Sequence, residues 1–357
     1  MKRILVIGAT GAMGKPLLQQ LCKNPEFEVY ATSRSTRSDE KIHWLQGNAK
    51  ESTFLTQIIS ENQFDAIVDY MVYSTKDFQE RYEFILENTS QYIFTSSARV
   101  YAQKDDVIDE ESPRILDVCE NAEYLSHDSY DLAKARQEDL LRNSVHKNWT
   151  IVRPSLTYNS RRLQFTIFEL EEWIYRALDH NSIIFPDEMR DIVTTMTHGN
   201  DVAKIVAKLV LNPDAIGEVF NVNGGGHRTW GEILEIYRAA TELSLKEPVK
   251  ICEVTNVTDI TKRLNRYDQY RLARGINRVF SNNKVESVVG PVTYIAIEDG
   301  LCNCMESFLK NPGEIYVPAR KGAYLDRLAS EWTPLNRFRT NRQKAGYLLG
   351  RFGVIKA

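Results

Sequence analysis

Arg3-Ile4-Leu5-Val6-Ile7 runs without a break into Gly8-Ala9-Thr10-Gly11-Ala12-Met13-Gly14 and then into a stretch carrying Leu17, Leu18 and Leu21. The run Ile4 to Ile7 reads as a short strand buried on both faces, as strands of a parallel sheet are. The three leucines share one face of a helix. Between them the glycines recur as G-x-x-G-x-x-G. Gly8 permits a tight turn, Gly11 lets backbone amides approach a pyrophosphate, and Gly14 lets the helix pack against the strand. Strand, glycine turn and helix together form the context that a dinucleotide site requires. Gly8, Thr10, Gly11, Ala12, Met13 and Gly14 are therefore its candidate residues.

Moving outward, Glu28 to Thr32 reads as the second strand. A carboxylate at its end would hold the adenosine ribose of NAD. The strand ends instead in Ser33-Arg34, with Arg37 close behind. An arginine there pairs with a 2′-phosphate, which favours NADP over NAD, although stacking on adenine would serve either. Asn48, at the exit of a third strand Ile42 to Leu45, is a further candidate cofactor contact. Strands at Ala66 to Asp69, Tyr92 to Thr95, Trp149 to Arg153 and Phe220 to Val222 alternate with helices at Phe54 to Ile59, around Tyr82 to Leu86, and at Tyr130 to Arg142. This alternation predicts an α/β fold with a doubly wound parallel sheet. Beyond about residue 160 helices dominate, with Thr166 to Leu178, Asp201 to Leu211 and Thr229 to Thr241 expected. The expected organisation is a cofactor domain over 1–160 with a returning strand near 217–223. A smaller, mainly helical substrate lobe over 161–335 and a basic, apolar C-terminal tail over 336–357 complete it.

Composition agrees with an enzyme-sized chain. The 357 residues suggest two domains at roughly 150 residues each. Hydrophobic residues make up 43% and charged residues 26%, which excludes wholesale disorder. The net charge of −3 argues against a nucleic-acid-binding surface spread over the molecule. Five cysteines without a regular framework read as reduced thiols. Met1-Lys2-Arg3 precedes too short an apolar run for a signal-peptide core, and no run of about 18 apolar residues exists, so a cytoplasmic location is expected.

Tyr130 and Lys134 stand four apart on one predicted helix, hence on one face. An ammonium beside a phenol favours the phenolate, which can take a hydroxyl proton while hydride leaves the same carbon. Ser96-Ser97-Ala98-Arg99-Val100-Tyr101 follows the fifth strand, at the end where α/β sheets bind ligands. Ser97 is placed to hydrogen-bond the reacting oxygen, or to cap the turn that follows.

These motifs, in this order, resemble the extended short-chain dehydrogenase/reductase family, and within it the sugar-nucleotide epimerase/dehydratase branch. The resemblance runs over about residues 1 to 240. It includes Asp109-Glu110-Glu111-Ser112-Pro113, Arg190-Asp191-Ile192-Val193, Thr197-His198-Gly199-Asn200-Asp201 and Gly217-Glu218-Val219-Phe220-Asn221-Val222. It implies a Rossmann-like fold with Tyr130 as catalytic base, Lys134 as its electrostatic partner and ribose anchor, and Ser97 as the third member. It also implies that Arg190 contacts the diphosphate of a nucleotide sugar, a suitable task for a planar donor fork, the alternative being a surface salt bridge with Asp191 or Glu188. A homodimer is expected.

The departures are informative too. Dehydratases of the family carry acidic residues where this chain has Ala98 and Arg99, and reductive epimerases often have a cysteine where it has Ala98. Ala98 fits 4-epimerases. Leu156 stands where many sugar-nucleotide enzymes place an asparagine, and the gap from Ser97 to Tyr130 carries an acidic run, Asp105 to Glu123, which reads as a solvated loop rather than a lid. The expected activity is NAD(P)-dependent epimerisation of a nucleotide-activated sugar through a transient ketone. An NADPH-dependent carbonyl reductase of a non-nucleotide substrate and a member of the fold that binds nucleic acid or regulatory partners without chemistry are the alternatives, and intact Ser97, Tyr130 and Lys134 weigh against the last.

His127, His198 and Trp230 read as structural, and Gly224-Gly225-Gly226 as a flexible connection. After Glu331 no acidic residue occurs, while Arg337, Arg339, Arg342, Lys344, Arg351 and Lys356 alternate with Tyr347, Leu348, Leu349, Phe352, Val354 and Ile355. Such a segment docks on its own domain or a subunit, or lies on an anionic membrane surface.

Overall fold

Seven parallel strands form the central sheet of the computed structural model, which describes residues 1–104, 106–313 and 315–354. They are β1 (Lys2–Ile7), β2 (Phe27–Ser33), β3 (Ile42–Gln46), β4 (Ala66–Asp69), β5 (Gln91–Thr95), β6 (Trp149–Pro154) and β7 (Glu218–Val222). Their order is β7-β6-β5-β4-β1-β2-β3. Every pairing is parallel, with Ile7 level with Asp69 and Thr95 level with Val152. The chain order reverses between β1 and β4, the switch point at whose carboxyl end open α/β sheets bind ligands. The fold is the Rossmann-like, doubly wound one.

Strand alternation explains the two layers of helices. Ile4, Val6, Val29, Ala31, Val68, Ile93, Val152 and Phe220 face one side, where α1 (Gly14–Leu21) brings Leu17, Leu18 and Leu21. Leu5, Ile7, Tyr30, Ile67, Tyr92, Phe94 and Ile151 face the other, where α2 (Ser52–Asn62) brings Leu55, Ile58 and Ile59. Each fully buried aliphatic side chain of this kind contributes about 1.5–3 kcal/mol relative to exposure. α3 (Tyr130–Asn143) and α4 (Gly199–Leu209) complete the wrapping used below.

The chain divides into two compact units. The first contains residues 1–157, 195–226 and 279–295, and the second residues 158–194, 227–278 and the segment from Ala296 onward. Within the first, most carboxylates of the acidic run are exposed as expected, Asp106, Glu111, Asp117, Glu120 and Glu123 among them. Asp105 lies outside the described residues, but Glu110 accepts from the backbone N–H of Asn221 at 2.6 Å, and its own carbonyl accepts from Arg153 at 3.4 Å. The glycine triplet also departs from expectation. A Cβ on Gly224 would stand 2.7 Å from the Met196 carbonyl oxygen, and one on Gly225 2.7 Å from the Tyr294 ring. Close packing, rather than flexibility, explains those glycines.

The second unit is mainly helical and holds Phe165, Trp173, Phe185, Trp230 and Tyr237 in one aromatic cluster. Its first helix, Leu170–Leu178, begins later than expected. Thr166 has φ +46°, and Phe165 and Phe168 exchange backbone hydrogen bonds at 2.9 and 2.7 Å, so a tight turn precedes the helix. Near the C-terminus, helix Asn341–Arg351 packs on helix Ala319–Ala329. Tyr347 is fully buried and donates to Asp326 at 2.5 Å, whereas Leu349, Phe352 and Val354 are exposed. Ile355 and Lys356 lie outside the described residues. No helix of the described residues is long and apolar enough to cross a membrane.

Candidate active site

The glycine turn leaves β1 at the switch point. Gly8 has φ +75°, a conformation that side chains with a Cβ rarely adopt, and its carbonyl accepts from the Gly11 N–H at 3.1 Å. A Cβ on Gly14 would meet the Gly8 carbonyl oxygen at 2.6 Å and the Ala9 Cα at 2.7 Å, so only glycine lets α1 start this close to β1. Thr10 and Gly11 are exposed, and Ala12 and Met13 half-buried, between flanks that are buried. Met13 gives α1 no side-chain cap. Gly14 opens the helix with its N–H, while the Lys15 N–H donates to the Gly11 carbonyl at 3.2 Å and Pro16 carries none, so it is the helix dipole and the close-packed glycine turn that fit a dinucleotide pyrophosphate.

At the end of β2, Ser33 is buried and its Oγ accepts from Arg37 Nε at 3.0 Å. The Arg37 guanidinium also lies 5.3 Å from the Trp44 ring centroid. Arg34 is exposed. Asn48 is engaged locally, donating to Glu51 at 3.1 Å and accepting from the Lys50 N–H at 3.2 Å.

The three candidate catalytic residues converge at the carboxyl end of β5. Ser97 is buried and caps the turn Ala98–Val100, its Oγ accepting from the Arg99 N–H at 3.2 Å. Tyr130, half-buried, opens α3. One turn on, Lys134 is buried and donates to the carbonyl oxygens of Thr95 at 2.7 Å and Met71 at 3.2 Å. Its ammonium lies 4.4 Å from the Phe94 ring centroid. Burial lowers the Lys134 pKa to about 8, against the opposing pull of Asp69 and Glu138. The next residues along the β5 exit bring Arg99 over the Tyr130 ring, 5.1 Å from its centroid. Ser97, Tyr130 and Lys134 are thus tied to one short segment, Thr95 to Arg99.

Several charged groups around this segment were not found from the sequence. Glu138 lies one turn beyond Lys134 and is fully buried. It accepts from Arg153 Nε at 2.8 Å, Ser96 Oγ at 2.5 Å and Arg114 at 3.3 Å. Burial works against its charge, but Arg153, Ser96 and Arg114 together hold its pKa below the ordinary carboxylate value. Asp69, at the end of β4, accepts from the Met71 N–H at 2.8 Å and the hydroxyls of Tyr73 and Tyr92 at 3.1 and 3.0 Å. Burial raises its pKa. A signal for Glu138 did exist. It shares the Tyr130 and Lys134 face of α3, which a solvated glutamate would avoid.

Two other expected residues are engaged locally. His198 Nδ1 accepts from the Asn200 N–H at 3.0 Å and so caps α4. Arg190 belongs to the second unit, where it pairs with Asp187 at 3.0 Å and with Glu253, its guanidinium 4.9 Å from the Phe185 ring centroid.

The family model of the NAD dependent epimerase/dehydratase family matches residues 4–223. The chain belongs to that family. No curated protein matches it. Among solved structures, dTDP-glucose 4,6-dehydratase from Bacillus anthracis, in complex with NAD, is 17% identical with TM-score 0.65, over 87% of this chain and 97% of that one. UDP-glucuronic acid 4-epimerase from Bacillus cereus, in complex with UDP-glucuronic acid and NAD, is 18% identical with TM-score 0.62, over 86% and 99%. UDP-glucose 4-epimerase from Bifidobacterium longum, in complex with NAD+ and UDP, is 17% identical with TM-score 0.60, over 87% and 99%. At these identities the likeness is one of fold.

Proposed function

We propose that this member of the family is an NAD(P)-dependent epimerase acting on a hydroxyl carbon of a nucleotide-activated sugar through a transient ketone. The observation that carries this reading is the convergence of Ser97, Tyr130 and Lys134 on the exit of β5, in the same sheet as the glycine turn. A nicotinamide dinucleotide, when bound, supplies the hydride acceptor and donor. Tyr130 takes the proton of the substrate hydroxyl as its carbon becomes a ketone, and returns a proton when the ketone is reduced on its other face. Lys134 places a positive charge along the same helix face, and Ser97 orients the reacting oxygen. Ala98 and Arg99 leave no carboxylate beside Ser97 to assist elimination of water, which favours epimerisation over dehydration.

In this reading residues 1–160, with the returning strand near 217–223, hold the dinucleotide, 161–335 hold the sugar nucleotide through Arg190, and 336–357 form a C-terminal tail. The arginines after β2 favour NADP. The enzyme works as a cytoplasmic homodimer. A second reading, an NADPH-dependent carbonyl reductase, is favoured by Leu156, an apolar residue where a nucleotide contact would suit asparagine.

The test incubates the purified protein with each dinucleotide and a panel of nucleotide sugars, following nicotinamide absorbance and the sugar products together. Epimer formation without net change in nicotinamide supports the first reading, and stoichiometric loss of NADPH the second. Tyr130→Phe is expected to abolish turnover and spare dinucleotide binding, and full activity in that variant refutes the catalytic assignment.

A further inference from the structure

From Ala319 onward the chain holds only two acidic residues, Asp326 and Glu331. Both are engaged inside the second unit. Asp326 is fully buried, paired with Arg176 and accepting the Tyr347 hydroxyl. Glu331 bonds Arg176 at 2.9 Å and the Ser182 hydroxyl at 2.8 Å. The cations that follow have no carboxylate of their own segment left to meet. Arg337 pairs with Asp179, and Arg351 bonds the Glu331 carbonyl oxygen at 3.1 Å. No ion pair engages Arg342 or Lys344 among the described residues. These two stand near the N-terminus of helix Asn341–Arg351, just past its Thr340 cap, and the first turn holds no acid. Cations at that end oppose the helix dipole, so helix stability does not account for them.

The same helix presents apolar side chains to solvent. Arg342, Ala345, Leu349 and Phe352 are exposed and recur at helical spacing, on the face away from buried Tyr347 and Gly350. The helix closes in a Schellman turn. Gly353, at φ +76°, donates to the Gly350 carbonyl at 3.1 Å, and the Val354 N–H to the Leu349 carbonyl at 2.9 Å. Val354 is thereby fixed beside Leu349, yet it is 68% exposed and Phe352 72%. The Trp332 ring, also exposed, meets the Phe352 ring with centroids 5.9 Å apart and carries the Arg351 guanidinium 4.6 Å from its own centroid. This is a built apolar surface flanked by cations.

We infer that this face of the second unit docks on an anionic lipid surface. Leu349, Phe352, Val354 and Trp332 enter the headgroup boundary, and Arg342 and Lys344 meet lipid phosphates. The helix is too short to cross a bilayer and lies in the plane of the interface. Charge argues against the other occupants. A two-fold contact with a second copy would set Arg342 and Lys344 against themselves, with no free carboxylate nearby in the segment. A nucleic acid would engage the cations but offers no apolar layer to Leu349 and Val354. A few cations and a small apolar patch acting together give reversible attachment. The inference does not depend on the reaction proposed above.

The experiment sediments the full chain with vesicles of phosphatidylcholine, alone or mixed with phosphatidylglycerol, at low and at high salt. The wild type is expected to pellet with the anionic vesicles at low salt, less at high salt, and to ignore phosphatidylcholine alone. Replacing Arg342→Gln and Lys344→Gln together should weaken partition about tenfold or more, at about fivefold per charge. Phe352→Ser should weaken it about tenfold. These side chains lie at the surface, so circular dichroism and dinucleotide affinity should stay at wild-type values. Failure to bind anionic vesicles, equal binding to neutral ones, or wild-type partition by either variant would overturn the inference. Oligonucleotide binding that needs Arg342 and Lys344, or a dimer that Phe352→Ser dissolves, found without vesicle binding, would overturn it and reassign the face.

Discussion

Lys134 reaches out of α3 to donate to the carbonyl oxygen of Thr95 at 2.7 Å, so a buried ammonium is fixed to the last residue of β5. Its surroundings contain Asp69 and Glu138 as opposing charges, yet burial prevails and lowers its pKa from 10.5 to about 8. The folded protein therefore binds fewer protons than the unfolded chain between those values, and stability attributable to this group should rise with pH across that window. Below about 8 both states carry the charge, and the folded state bears the full cost of burying it. Denaturant unfolding at a series of pH values should show the rise in the wild type and lose it in Lys134→Met. Activity should run the other way, with kcat/KM falling above about 8 as the ammonium that supports Tyr130 is lost. A flat profile through that region would remove Lys134 from the mechanism.

Gly14→Ala tests the glycine turn as packing. The new Cβ would lie 2.6 Å from the Gly8 carbonyl oxygen and 2.7 Å from the Ala9 Cα, both backbone atoms that cannot swing aside. α1 must shift from β1, at a cost of about 1–3 kcal/mol in unfolding free energy. Dinucleotide affinity should fall with it, because the amides of α1 move away from the turn. Gly11→Ala meets only the Gly8 carbonyl oxygen at 3.3 Å and should be milder on stability. Thermal unfolding of the two variants ranks them, and a Gly14→Ala protein as stable as wild type would contradict the packing argument.

The strand–turn–helix at the N-terminus and the parallel sheet were legible because both depend on local pattern. Ile4 to Ile7 is apolar on both faces, and the glycine spacing has few other uses. Tyr130 and Lys134 were legible through their four-residue spacing. The setting of Lys134 was not, since Met71 and Thr95 are 63 and 39 residues away in sequence and contribute carbonyls, which any residue type supplies. Glu110 looked like part of a solvated acidic run because its partner is a backbone N–H on β7, which leaves no mark on composition. The delayed start of helix Leu170–Leu178 was hidden for a related reason. A left-handed Thr166 is stabilised by tertiary packing of Phe165 and runs against the preference of a β-branched residue.

Arg34→Ala examines the reading of the β2 exit. Arg37 is held by Ser33 and Trp44, so Arg34 is the free-standing cation there by exposure, and a 2′-phosphate is the group that would engage it. The variant should bind NADP+ about tenfold more weakly and NAD+ unchanged, as judged by calorimetric titration. An unaltered ratio of the two affinities would set aside the NADP preference.

Glu138→Ala separates a scaffold role from a catalytic one. The carboxylate is fully buried against Arg153, Arg114 and Ser96, and it lies on the helix that carries Tyr130 and Lys134. Removing it leaves the Arg153 guanidinium buried without its main partner, a loss of about 3–5 kcal/mol. Glu138→Gln keeps the shape and part of the hydrogen bonding, so it should be the less damaging change. Because the folded Glu138 carboxyl sits below its ordinary pKa, the stability it contributes is present above about pH 4.5 and is lost as pH falls through the lower folded value. Urea unfolding between neutral and acidic pH should show the gap between wild type and Glu138→Gln narrowing as the wild-type carboxylate is protonated. Loss of turnover with unchanged stability in Glu138→Gln would instead assign the residue to proton transfer with Ser96 and Ser97.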